Sequence, residues 1–258
     1  MNRTLQQLLT FFAIVLLVGC ASVPRPAVKN FEPSAPPYDA WAKVLANHVD
    51  EQGRVDFAGV ARDRADLDQF VAYIYDYGPN ILPELFPTPA HVLAYHINAY
   101  NALAMHKVVQ TGIPKTLAGP IKVGFFALGK VQVGGEPISL YDYENKVIRA
   151  LGEVRIHMAL NCMSVGCPRL PREVFTPERL EAQLQREAVR FFNEARNVQV
   201  SHADRTVWYS EILKFYRSDF LAQATSLAAY VNRFRDMPLP DDYAEKFIDY
   251  DWTINQQP

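Results

Sequence analysis

Cysteine is scarce in this chain, with three in 258 residues at Cys20, Cys162 and Cys167. So few cannot make a disulfide framework, and no Cys/His set has zinc-finger spacing, so neither cross-links nor a structural metal are expected to hold the fold. A basic surplus is also missing. Lys plus Arg total 26 against 28 Asp plus Glu, a formal charge of −2, which excludes the electrostatic footprint of a non-specific nucleic-acid binder. There is no internal repeat and no sustained heptad. Long apolar runs are lacking too: the longest, Leu8 to Val18, makes a helix of about 16 Å, roughly half a hydrocarbon core, and so is not a permanent span. What is present, 49% hydrophobic and 21% charged residues, belongs to a folded globular chain and not to a disordered one.

The apolar run follows the single cation Arg3 and stops at Gly19-Cys20, the layout of a short signal-type segment. Leu17-Val18-Gly19-Cys20 resembles the lipobox of bacterial lipoproteins, in which the cysteine thiol is diacylated, the chain is cut before it, and the new amine is acylated. The resemblance implies that residues 1–19 are a lipoprotein signal peptide and that Cys20 is the lipidation site. Ala21, where inner-membrane retention would place Asp, implies a protein anchored by lipid in the bacterial envelope, on the outer membrane and facing the periplasm. Several acyl chains anchor stably where one is marginal. Loss of Arg3 leaves 25 cations against 28 anions, so the membrane partner is reached through lipid and not through a polybasic patch. Pro24, Pro26, Pro33, Pro36 and Pro37 make residues 20–37 read as the lipidated cysteine plus an extended tether that lifts the domain off the bilayer.

Residues 38–258 read as a single globular domain. Trp41, Val44, Leu45 and Val49 follow helical spacing behind Asp39, and Leu67, Phe70, Val71 and Ile74 repeat the pattern over Asp66 to Tyr77. Pro79 to Pro89 reads as a loop, and Ala90 to Gln110 as a long buried helix closed by Thr111-Gly112 and Pro114. Between Ile121 and Ile138 the β-prone runs Val123 to Leu128 and Lys130 to Val133, set off by glycines, predict a hairpin. Ser139 and Asp142 make a capping box for a helix through Arg149, and Arg155 to Cys162 reads as a strand. Met163 to Pro171 is a loop. Thr176-Pro177 opens an amphipathic helix to Ala195, Val198 to Ser201 and Thr206 to Ser210 form a second hairpin, and helices at Ile212 to Tyr216 and Ser226 to Phe234 close the domain. The order predicts an α+β fold, with helices packed on a small, mainly antiparallel sheet.

Three segments together resemble the domain-of-unknown-function 547 family: Leu93 to Leu103 (LAYHINAYNAL), Ile138 to Glu144 (ISLYDYE), and Arg155 to Cys162 (RIHMALNC) running into Gly166-Cys167-Pro168. Gly53 to Phe57 and Trp208 to Tyr216 with Asp219-Phe220 are similar to it more weakly. Family members usually carry Trp at the position of His96, so His96 inherits no role from the resemblance.

The chemistry-bearing residues fall in the same segments. A thiol attacks only as thiolate, which needs a base or a positive environment close by, and His157 is the nearest candidate base for Cys162. On one regular strand their odd separation would put them on opposite faces, so pairing requires a bend near Asn161. Glu144 is the candidate third member that orients the imidazole, and backbone N–H groups of the Met163 to Gly166 loop are candidate oxyanion donors. Asn98 and Asn101 share a helix face and, if buried, need partners, for which the Cys162 loop is the candidate. A metal site from His96, His157 and a cysteine lacks any i, i+4 His pair to support it, and no cofactor is expected.

Two functions follow. One is an envelope thiol hydrolase or acyltransferase acting on an amide or ester through Cys162, His157 and Glu144, for which a papain- or transglutaminase-like architecture is an analogy. The other is a non-catalytic binding or scaffold module with a Cys162–Cys167 disulfide, using a surface rich in its 13 Tyr and 15 Phe to hold an envelope partner.

Overall fold

A computed structural model describes residues 23–28 and 35–258. Helices α1 (Tyr38–His48), α2 (Phe57–Arg62), α3 (Ala65–Asp76) and α4 (Pro89–Gln110) come first. Asp56 caps α2 by accepting the Gly59 N–H, and Thr88 with Pro89 opens α4. Every residue of α4 from Leu93 to Val108 is buried. A helix apolar around most of its circumference can rest only at the centre of a core. Helix α3 packs between α1 and α4, and Trp41 stacks on Phe70 with ring centroids 5.9 Å apart.

The strands β1 (Lys130–Val133) and β2 (Glu136–Ser139) form the first hairpin around Gly134-Gly135, both at positive φ. Val123–Leu128, expected as a strand, is instead a wide π-helical turn. The reason lies in α4: the buried Lys107 ammonium donates to the carbonyls of Phe125 and Gly129 (2.8 Å to the latter) and ties the turn down onto the helix. Ser139 does cap the following helical run by accepting the Asp142 N–H at 3.0 Å, and Gly152 at φ 79° ends it. Arg155 to Cys162 is not a strand either. Its first part is a 3₁₀ turn, Val154–Met158, capped by the Glu153 carboxylate on Arg155 N–H.

After a long loop come α5 (Leu180–Asn193), β3 (Val198–Ser201), β4 (Thr206–Ser210), α6 (Glu211–Phe215), α7 (Arg217–Leu221), α8 (Leu227–Val231) and β5 (Ala244–Ile248). Helix α5 starts at Leu180, later than Thr176-Pro177 suggests, and the Thr176 N–H ahead of it bonds the Gln183 side chain at 3.0 Å. Strand β4 pairs antiparallel with β3 and parallel with β5, and a second apolar cluster of Phe191, Phe192, Tyr209, Phe220 and Tyr230 fills this half. The architecture is an α+β single domain.

Two extended segments bear on the site. The stretch after β5 runs back through the molecule, receiving Gly166 N–H on Asp251 O, Val165 N–H on Thr253 O and Leu117 N–H on Trp252 O, each at 2.8 Å. At the other end, residues 23–28 lie on the domain and do not hang free as a tether: Val23 N–H donates to Lys130 O at 2.8 Å, Tyr75 Oη donates to Val23 O at 2.7 Å, and Arg25 pairs with Asp76. Cys20 and the signal segment fall outside the described residues. Among the described residues no helix is long and apolar enough to cross a membrane.

Candidate functional site

The site is built from α4 outward. Asn101 accepts the Asn161 N–H at 2.7 Å and donates to Ala159 O at 3.0 Å, which pins the chain where the 3₁₀ turn ends. Asn161 in turn accepts Met163 N–H at 2.7 Å and donates to Pro168 O at 2.6 Å, so one amide closes both ends of the cysteine loop. Met163 is bent to φ 70°, a costly conformation for a side-chain-bearing residue that the surrounding bonds impose. Gly166 lies so close to the later segment that a Cβ there would come within 2.9 Å of Asp251 N. The loop therefore closes on itself.

That closure brings the two sulfurs into contact. Cys162 Sγ and Cys167 Sγ are 2.7 Å apart, both as free thiols, and Cys162 N–H donates to Cys167 Sγ at 2.9 Å. Tyr250 Oη reaches Cys167 Sγ at 2.9 Å and Cys162 Sγ at 3.2 Å, while Ser164 Oγ lies 3.0 Å from Cys162 Sγ and 2.9 Å from Tyr250 Oη. Burial by itself raises a thiol pKa. At Cys167 the bonds from Cys162, Tyr250 and Ser164 outweigh it and bring the group down to about 7. Cys162 is pushed up by burial and by the charge of Cys167 beside it. Of the two, Cys167 is the sulfur held lower and so the one that more readily carries charge, and either sulfur can donate to the other. Tyr250, raised by burial and by the two cysteines, stays a protonated donor.

His157 stands on the 3₁₀ turn with its ring stacked on Tyr216, centroids 4.0 Å apart and planes at 17°. Its Nε2 bonds Asp219 Oδ2 at 2.9 Å, and Arg149 holds the same carboxylate through Nε at 2.8 Å and Nη2 at 2.7 Å. Asp219 is lowered to about 2, chiefly by Arg149, so it is an anion facing the ring. Burial lowers His157 to about 4 even against the pull of Asp219, which leaves a neutral imidazole. With Nε2–H donating to the carboxylate, the lone pair sits on Nδ1, which is buried without a hydrogen-bond partner.

Glu144 does not bond this imidazole. It accepts from Tyr100 Oη at 2.9 Å and from Tyr216 Oη, and burial raises its pKa against both tyrosines. Because Tyr216 also stacks on His157, Glu144 reaches the histidine only through that ring. A cavity of about 330 Å³ is lined by Cys162, Cys167, His157, Glu144 and Tyr250 together with Phe126, Phe215 and Trp252. Lys122 also lines it, its Nζ 3.8 Å from the Trp252 ring centre.

The sequence-derived trio of Cys162, His157 and Glu144 therefore shares one cavity, but its hydrogen bonds run elsewhere: the acid on His157 is Asp219, and the neighbours of Cys162 are Cys167, Ser164 and Tyr250. Three of the four expected oxyanion donors are occupied, since the N–H groups of Met163, Val165 and Gly166 are bonded to other oxygens. Asn101 makes the tie to the cysteine loop, whereas Asn98 serves a different segment, accepting Phe175 N–H at 3.1 Å and donating to Phe175 O at 2.7 Å. Asp219 and Tyr250 were missed. Asp219 lay in one of the segments carrying the resemblance, and a Tyr-Asp-Trp run so far from Cys162 gives no signal. Among the described residues no His, Cys, Asp and Glu cluster could hold a metal ion.

Residues 87–192 match the family model described as a protein of unknown function, DUF547. This segment is similar to the DUF547 family. The match takes in Tyr100, Glu144, His157 and both cysteines of the loop, while Asp219 and Tyr250 lie beyond it. No curated protein and no solved structure matches the chain.

Proposed function

We propose that the cavity performs thiol-dependent acyl transfer, hydrolysing an amide or ester or passing its acyl group to another acceptor. One observation carries the reading: His157, backed by Asp219 and with its Nδ1 buried and unpartnered, lines the cavity that also holds the Cys162–Cys167 pair. A lone pair kept dry and unbonded is costly unless something that arrives uses it. Cys162 is the more exposed of the two cysteines and acts as nucleophile. As its sulfur bonds to the carbonyl carbon, its proton moves to the Cys167 thiolate and from there to the departing amine or alcohol. His157 Nδ1 then takes a proton from the incoming water or acceptor as that oxygen or nitrogen attacks the thioester, and returns it to the released Cys162 sulfur. Tyr250 Oη supplies a hydrogen bond beside the reacting atoms.

Incubation with a p-nitrophenyl ester followed by peptide mass analysis tests this. An acyl group is expected on Cys162, with release slowed by about 10²-fold or more in His157→Ala. Free thiols that acquire no acyl group would refute it, and a quantitative Cys162–Cys167 disulfide in protein taken from cells would favour the non-catalytic binding module. The chain itself we read as an envelope lipoprotein acylated at Cys20, on the strength of the ordered apolar run, small residue and cysteine. Metabolic labelling with a fatty acid should mark the wild type and not Cys20→Ala. A wild-type protein without label overturns that part.

A further inference from the structure

We propose that the segment 119–128, the lip of the cavity, rests on the lipid bilayer, so that substrate enters the site from the membrane interface. The inference rests on the lipoprotein reading of Cys20 and goes beyond it, because that reading alone leaves a domain free to tumble on a tether. The seating of residues 23–28 removes that freedom. Val23 is bonded to Lys130 and Tyr75 and is 8% exposed, so an acylated Cys20 three residues earlier can lie no more than about 10 Å from it. Lys130 is two residues past the lip. An anchor so short brings the bilayer to this face of the domain.

The lip has the surface for it. Ile121, Val123 and Leu128 are 45%, 53% and 46% exposed, an unusual concentration of open aliphatic side chains in one turn of chain. Tyr141 and Phe215, both exposed, continue the patch around the cavity mouth. The charge fits anionic lipid headgroups: from Thr111 to Gly135 the sequence holds Lys115, Lys122 and Lys130 and no Asp or Glu, in a chain whose net charge is −2. Lys107 fixes the turn from inside through the carbonyls of Phe125 and Gly129, so the aliphatic face is presented by a fastened element. Phe126 and Lys122, in the same segment, line the cavity, which places its opening at the headgroup level and points to an amphipathic, membrane-borne amide or ester as substrate.

The test uses the full-length protein in its own membrane. Val123→p-benzoylphenylalanine and Leu128→p-benzoylphenylalanine are irradiated and their peptides analysed for phospholipid adducts, with Met237, 72% exposed and outside the lip, substituted in the same way as the control. Adducts at 123 and 128 at least tenfold above those at 237 are expected. Fatty-acid labelling of the same samples separates the two failures. An acylated protein with no excess of adducts at 123 and 128 overturns the docked lip and leaves the anchor standing; an unacylated protein overturns the anchor and the docked lip with it.

Discussion

His96 offers a quantitative check on the core beneath the site. It is 7% exposed, its Nδ1 pairs with Tyr143 Oη at 2.8 Å, and burial lowers its pKa from an ordinary 6.5 to about 4. Below pH 6.5 the unfolded chain takes up a proton at this position that the folded chain refuses until about pH 4, so stability falls as the pH falls through that window. Each pH unit is worth about 1.36 kcal/mol, so between pH 7 and 4.5 His96 alone should remove roughly 2 to 3 kcal/mol. In His96→Phe this loss disappears. At pH 7 the variant should be less stable than wild type by about 1–3 kcal/mol, because Tyr143 loses a buried partner. At pH 4.5 the deficit should shrink by roughly 2 to 3 kcal/mol and come close to zero or reverse. Urea unfolding followed by far-UV circular dichroism at both pH values measures it, and groups common to the two proteins cancel in the difference. A difference constant within about 0.5 kcal/mol across the two pH values would refute the argument.

Three further expectations concern the site and its support. Asn98→Asp cannot donate to Ala94 O and Phe175 O and buries a charge, so unfolding free energy should drop by about 3 kcal/mol or more; a change under about 0.5 kcal/mol would contradict the burial. Alkylation rate against pH should show a thiol titrating near pH 7, and Tyr250→Phe should move that midpoint upward; an unmoved midpoint would show that the hydroxyl does not hold the thiolate. Gly166→Ala drives a methyl against Asp251 and Tyr250, so it should lower the melting temperature and raise the same midpoint, and a variant with both unchanged would sink the close-approach account.

Elements that draw their structure from their own residues were legible in the sequence. Helix α4 is apolar around its circumference and has Thr111-Gly112 after it, so only its first residue, Pro89, was misplaced. The β3–β4 hairpin is found at its expected bounds for the same reason, alternating strands around a polar turn. Val123–Leu128 is as β-prone as those strands, but its carbonyls are claimed by a lysine from α4, and that tertiary bond outweighs propensity. Arg155 to Cys162 was misread in the same way, since Asn101, 60 residues earlier, takes the N–H that a strand would have offered to a neighbour. Strand β5, Ala244–Ile248, has three exposed residues and little apolar alternation, so nothing local announced it. The site divides likewise: the cysteine loop and its histidine stand close together in sequence, whereas Asp219 lies 62 residues from His157 and Tyr250 lies 88 from Cys162.

That last separation also sets a timetable. At an elongation rate of about 5–20 residues per second, roughly 4 to 18 seconds pass between synthesis of Cys162 and of Tyr250. During that interval the nascent chain has two cysteines but neither the phenol that bonds them nor the strand of backbone, Asp251 to Thr253, that holds Val165 and Gly166 in place. Until Tyr250 is made, Cys167 lacks one of the hydrogen bonds that lower it. The bonds that lower Cys167 thus depend in part on a distant piece of the same polypeptide.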